Sequence, residues 1–268
     1  MIFSDLILHP RTRQTLTNYL AQPTHALLLT GEKGVGLGTI AKTLAREVAN
    51  ASVVIIEPRL HDKQKTPNIN IEDIRELGHF TRDRRSDHLC IMIDEAEKMT
   101  DRAPEAFLKA LEEPVERVFY ILTTHAPAKL PATIKSRAQI VEILPPPAEM
   151  CKSLFAGSEP AKLEKIKFLG NRRPAEIARL IADEEYFRAA AAVMETAKNF
   201  IQGAPTKRLE IVASTTTRET AINLAQNVAK LLLLKSATDG LETVSEVIDN
   251  LTQNGNVRAQ LTYLALNI

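Results

Sequence analysis

Three glycines, Gly31, Gly34 and Gly36, follow the apolar run Ala26–Leu29 and precede a helical pattern with Ile40, Ala41, Leu44, Ala45 and Val48 on one side. Glycines at a strand-to-helix turn let backbone N–H groups converge, and a helix N-terminus favours an anion. The stretch therefore has the pattern of a phosphate-binding loop. The motif G-x-x-x-x-G-K-[ST] maps onto Gly31 through Gly38. It fails at the two positions that carry most chemistry. Leu37 stands where a lysine would reach the β- and γ-phosphates, and Gly38 where a hydroxyl would hold magnesium. Thr39 comes one residue late, which on a helix turns it about 100° away. Lys33 lies inside the loop, but nothing in the motif lets it substitute for the missing lysine. One lost charge-assisted contact is worth on the order of 2–3 kcal/mol, or roughly 30–150-fold in affinity. The residues alone also fit a plain glycine-rich turn.

A second group of residues points the same way. The apolar run Leu89–Ile93 leads straight into Asp94 and Glu95. Downstream of a phosphate-binding loop, the first carboxylate would hold magnesium through water and the second would polarise an attacking water. The other reading is an exposed acidic turn before the next helix. Arg82, Arg84 and Arg85 form a small basic cluster, whose ordinary reading is a solvated loop rather than a nucleic-acid contact.

These residues need a scaffold, and the chain supplies alternating elements. A helix is expected over Pro10–Leu20. Strands are expected over Ala26–Leu29, Val53–Ile56, Leu89–Ile93, Val118–Leu122 and Ala138–Ile143. Helices fill the gaps over Gly38–Ala49, Ile71–Phe80 and from Thr100, as cap, to Glu112. His61–Asn68 reads as a polar surface loop. This alternation predicts a three-layer α/β domain with a five-stranded parallel sheet. Pro145–Pro147 cannot continue a central strand and marks a boundary. Short helices follow over Ala148–Phe155, Ala161–Leu169 and Pro174–Asp183. Further helices run over Glu185–Gln202, Lys207–Ser214, Arg218–Lys235, Leu241–Gln253 and Asn256–Leu266. Leu231–Leu234 is apolar all round and predicts a buried or interfacial helix. The expected division is 1–145, 146–183 and 184–268.

Composition narrows the class. The 268 residues carry 34 Lys and Arg against 33 Asp and Glu, a net charge of +1, so no global field draws the chain to nucleic acid or membrane. No apolar run approaches the ~20 residues of a membrane span, and Met1–Leu20 lacks the apolar core of a secretory signal. The two cysteines, Cys90 and Cys151, have no metal-ligand spacing. A cytoplasmic protein without zinc is the expectation.

In this order the motifs resemble the AAA+ clamp-loader subunits of bacterial DNA polymerase III, delta-prime type, over nearly the whole chain. HALLLTG, IDEAEKMT, AFLKALEEP, ILTTHAPAKLPATIKSRA and NGNVRAQLTYL carry the resemblance. It implies an α/β AAA+ core, a small helical lid and an all-α collar. Asp94 and Glu95 match the Walker B pair, and Thr124 matches the sensor ending the fourth strand. Ser136 and Arg137 match the Ser-Arg-Cys motif, whose arginine acts on a neighbouring subunit's ATP, with Ala138 in place of the cysteine. Arg173 matches the second sensor. Leu37 and Gly38 depart from the motor subunits. The family's four-cysteine zinc module is missing between Ala49 and Val53.

The implied protein is a non-hydrolysing ring member with weak or no ATP–magnesium binding. Its implied partners are gamma/tau-like and delta-like subunits, the sliding clamp and primer-template DNA, with no membrane. A second reading, an active AAA+ ATPase, is supported by Asp94–Glu95 and opposed by Leu37–Gly38. A third, a free DNA-binding adaptor, is opposed by the neutral charge.

Overall fold

The computed structural model describes residues 2–49, 52–61, 66–82, 88–100, 102–234 and 240–268. The chain divides into two compact units. One comprises Met1–Leu163 with Gly170–Ala178, the other Glu164–Leu169 with Arg179–Ile268.

The first unit is built on β1 (Ala26–Thr30), β2 (Val53–Ile56), β3 (Leu89–Ile93), β4 (Val118–Thr124) and β5 (Gln139–Glu142). They form one parallel sheet in the order β2-β3-β4-β1-β5. β1 and β3 are buried along their whole length, as continuous apolar runs require when both faces are covered. On one face lie α1 (Pro10–Ala21) and α2 (Leu37–Ala49), packing Leu16, Leu44 and Leu37 on Leu27, Leu29, Met92 and Ile121. On the other lie α3 (Ile71–Arg82), α4 (Ala103–Glu112) and the single turn α5 (Ala132–Lys135), packing Ile74, Phe107 and Ile134 around Leu28, Ile91 and Tyr120. This is the expected three-layer α/β core.

One detail differs from the sequence pattern. Thr100 does not cap α4. Its N–H donates to the Ile69 carbonyl beside an Ile69–Met99 bridge, and the helix begins at Ala103 with Pro104 in its first turn. A tertiary bridge outranks the local capping preference there. The 61–68 stretch is tied at its base, because Arg59 and Asn68 exchange both backbone hydrogen bonds. Residues 62–65 of that stretch, and Arg84 and Arg85 of the basic cluster, lie outside the described residues.

After β5 the expected short helix over Ala148–Phe155 is present as a 3-10 helix. α6 (Pro160–Gly170) and α7 (Pro174–Ala182) follow, with Pro174 opening α7 where its missing N–H costs nothing. The second unit is helical: α8 (Glu184–Gln202), α9 (Pro205–Ser214), α10 (Arg218–Leu234), α11 (Leu241–Thr252) and α12 (Val257–Asn267). The Asp183 and Asn256 side chains cap α8 and α12 by accepting the N–H of Tyr186 and Ala259. Phe200, Leu224, Val228, Val247, Leu251 and Leu261 fill its core. The leucine run on α10 splits: Leu231 and Leu232 are buried, while Leu233 and Leu234 are 63% and 69% exposed. The last expected residue of that helix, Lys235, lies outside the described residues. Among the described residues no helix is long and apolar enough to cross a membrane.

Candidate functional site

Parallel register brings the carboxyl ends of the central strands level, pairing Thr30 with Thr124 and Ile93 with Leu122. The loops leaving β1 and β3 therefore lie at the carboxyl end of the sheet, where ligands bind in open α/β folds.

The glycine loop occupies that carboxyl end. Gly34 and Gly36 sit at φ +93° and +98°, a backbone region that side chains rarely enter. Around the loop, other groups hold its carbonyls. The N–H groups of Ala175 and Glu176, opening α7, both donate to the Gly34 carbonyl at 2.9 and 3.1 Å. Arg173 donates through Nη1 to the Lys33 carbonyl at 2.9 Å and through Nε to the Gly170 carbonyl at 3.1 Å. His125 donates through Nδ1 to the Gly31 carbonyl at 2.9 Å, and its own N–H donates to Glu97 Oε1 at 3.1 Å. Leu37 is 2% exposed and belongs to the core under α2. Thr39 is exposed and lines a cleft of about 220 Å³ with Leu6, Leu8, Val35 and Pro174.

Asp94 faces the loop at position 38. A Cβ added at Gly38 would lie 3.2 Å from Asp94 Oδ2. The other carboxylate oxygen accepts the hydroxyl of Thr123, and that same hydroxyl accepts the N–H of Glu95 at 3.0 Å. Glu95 itself adopts left-handed backbone angles, φ 49° and ψ 52°, and pairs with Lys98 Nζ at 2.6 Å. Thr124 is buried and accepts the N–H of Ala126 at 3.1 Å. The residue at the strand end that touches the carboxylate is thus Thr123. The signal lay in strand parity: Thr123 shares a face with Ile121 on the α2 side, and Thr124 shares one with Leu122 on the other.

Ser136 and Arg137 lie between α5 and β5, with no hydrogen bond or ion pair to the loop. Ser136 Oγ donates to the Thr133 carbonyl at 3.1 Å. Arg137 Nη1 donates to the same carbonyl at 3.1 Å, and Nη2 pairs with Glu112 Oε1 at 2.7 Å. Sequence reasoning named Arg137 and missed Glu112, the last residue of α4.

The residues fit an ATP–magnesium pair only in part. The cradle and Asp94 are in place, but a buried leucine holds the lysine position and no hydroxyl projects from position 38. The anchoring cation and the metal-holding hydroxyl are not supplied at positions 37 and 38. Among the described residues no three His, Cys, Asp or Glu side chains gather as metal ligands.

The fold is a five-stranded parallel α/β core followed by helical segments. A solved gamma subunit-related protein of DNA polymerase III from Thermotoga maritima aligns over 94% of this chain and 97% of its own, with TM-score 0.55 and 20% identity. The RuvB Holliday junction branch migration motor of the same organism aligns over 76% of this chain and 80% of its own, with TM-score 0.52 and 17% identity. Both likenesses concern the fold. Residues 51–147 match the family described as DNA polymerase III, delta subunit. The tau subunit of DNA polymerase III from Bacillus subtilis (strain 168) is 29% identical over 51% of this chain and 28% of its own length. The delta' subunit from Yersinia pestis is 33% identical over 31% of this chain and 25% of its own length. Over these stretches the chain is similar to subunits of DNA polymerase III. The matched stretch spans less than a third of either of these curated relatives.

Proposed function

We propose that this chain is a non-hydrolysing, delta-prime-type subunit of a clamp loader, and that Arg137 works in trans on nucleotide held by a neighbouring motor subunit. One observation carries the reading: the loop keeps its glycines and the facing Asp94, yet holds a buried leucine where a phosphate-binding cation is needed. A site that retains its scaffold and loses its charge suits a structural partner better than an engine. Residues 1–145 would then be the AAA+ core, 146–183 a lid whose Arg173 is the second sensor, and 184–268 the collar joining gamma/tau-like and delta-like subunits. The sliding clamp and primer-template DNA would be reached through that complex.

Arg137 suits the trans role. A guanidinium stays charged and offers a fork of donors to phosphate oxygens. In phosphoryl transfer such a finger can be worth ~10³–10⁵-fold at the site it serves. The test is the DNA-stimulated ATPase of the complex reconstituted with Arg137→Ala. The expected result is a fall in kcat with assembly intact, poorly restored by Arg137→Lys. Wild-type ATPase and clamp loading with Arg137→Ala would overturn the finger.

One observation favours a second reading, an active ATPase: Asp94 is aimed at position 38, as a magnesium-holding carboxylate would be. Magnesium-dependent ATP hydrolysis by the chain alone would establish it.

A further inference from the structure

We propose that Glu112 is a positioning residue for Arg137, holding the guanidinium so that its unused donors face an incoming phosphate. The inference rests on the trans role proposed for Arg137 and adds the group that sets it. Three contacts fix the guanidinium. Nη2 pairs with Glu112 Oε1 at 2.7 Å, while Nη1 reaches the Thr133 carbonyl at 3.1 Å and Ser136 Oγ at 3.4 Å. A guanidinium carries five N–H donors. The Nε–H and one Nη2–H have no partner among the described residues, so two donors remain for an acceptor from outside the chain.

The anchors stand on different elements: Glu112 ends α4, and Thr133 lies in α5. α4 and α5 share one apolar core through Phe107, Leu111 and Ile134, so the two anchors are held at a fixed spacing. A free arginine would sample many rotamers and lose entropy on meeting its target. One tied at two points has already lost most of that freedom, so less is forfeited when phosphate arrives. The Glu112–Arg137 pair is also of the right strength for the task. The side chains are 49% and 36% exposed, so water screens the pair and its hold is modest. A doubly charged phosphate can share the guanidinium without first breaking a buried ion pair.

A double-mutant cycle in the reconstituted complex tests this, read as steady-state ATPase kcat and KM. Glu112→Ala should lower kcat about threefold to fivefold, the size an exposed pair can carry, with KM for ATP unchanged. Glu112→Gln should keep most of the rate, since an amide oxygen still accepts from Nη2. Added to Arg137→Ala, Glu112→Ala should do nothing more. If Arg137→Ala lowers kcat but Glu112→Ala is silent, or costs the same with Arg137 absent, the positioning role is wrong and the finger stands. If Arg137→Ala itself leaves kcat unchanged, the finger fails and the proposal falls with it.

Discussion

Leu37 packs with Ile40 and Leu44 in the core under α2, at 2% exposure. Leu37→Lys must bury an ammonium or empty that site, so it should cost roughly 2–4 kcal/mol, while the volume-conserving Leu37→Met should cost less than about 1.5. Urea denaturation reads both as shifts in midpoint. Thr123 predicts a second contrast. Its hydroxyl donates to Asp94 and accepts from the Glu95 N–H, so Thr123→Val should cost about 1–2 kcal/mol and Thr123→Ser far less. Equal stability of the Val and Ser variants would contradict the bonded role. At this scale the sequence was legible wherever type and position were enough. The glycines, Leu37, Asp94 and Glu95 were named from motif spacing, and Arg137 from the family resemblance alone. Thr123 needed strand parity, and Glu112 needed the packing of α4 beside α5. His125 needed the return of β4 to the loop, because its partner Gly31 is distant in sequence.

Among the elements, the join between the glycine loop and α7 was invisible in the sequence. Two of the N–H groups that α7 cannot satisfy internally are taken by the Gly34 carbonyl, which does the work of a capping side chain. A Cβ at Gly34 would lie 2.8 Å from the Glu176 Cβ, at a φ of +93°. Gly34→Ala should therefore cost about 1–3 kcal/mol and speed hydrogen exchange at the Ala175 and Glu176 amides. Unchanged exchange there would show that the join is not held by this carbonyl. β3 makes a different prediction. Burial pushes the Cys90 thiol up to about 12 from its ordinary 9.0, and burial also raises the neighbouring Tyr19 phenol. The folded chain keeps these protons longer than the unfolded one. Stability should be whole below pH 9 and fall as pH rises toward 12. Thermal unfolding followed by circular dichroism across that window checks the sign. Strands and helices themselves were largely legible, because buried parallel strands read as apolar runs and helices repeat every three to four residues. The start of α4 was not, since the Ile69–Met99 bridge that displaces it is tertiary.

Across the whole molecule, one unit carries the glycine loop, Asp94 and Arg137, and the other is helical with its own core. If the proposed collar role holds, a chain ending at Asp183 should keep a cooperative α/β unit yet fail to join the proposed partner subunits, which gel filtration with those subunits would show. Normal assembly of that truncated chain would remove the collar role from residues 184–268. A loop that keeps its shape without its anchoring charge should bind nucleotide weakly or not at all. Titration calorimetry of magnesium–ATP into the isolated chain tests this most directly. No saturable heat is expected up to millimolar ATP, with or without magnesium. A micromolar Kd that requires magnesium would contradict it.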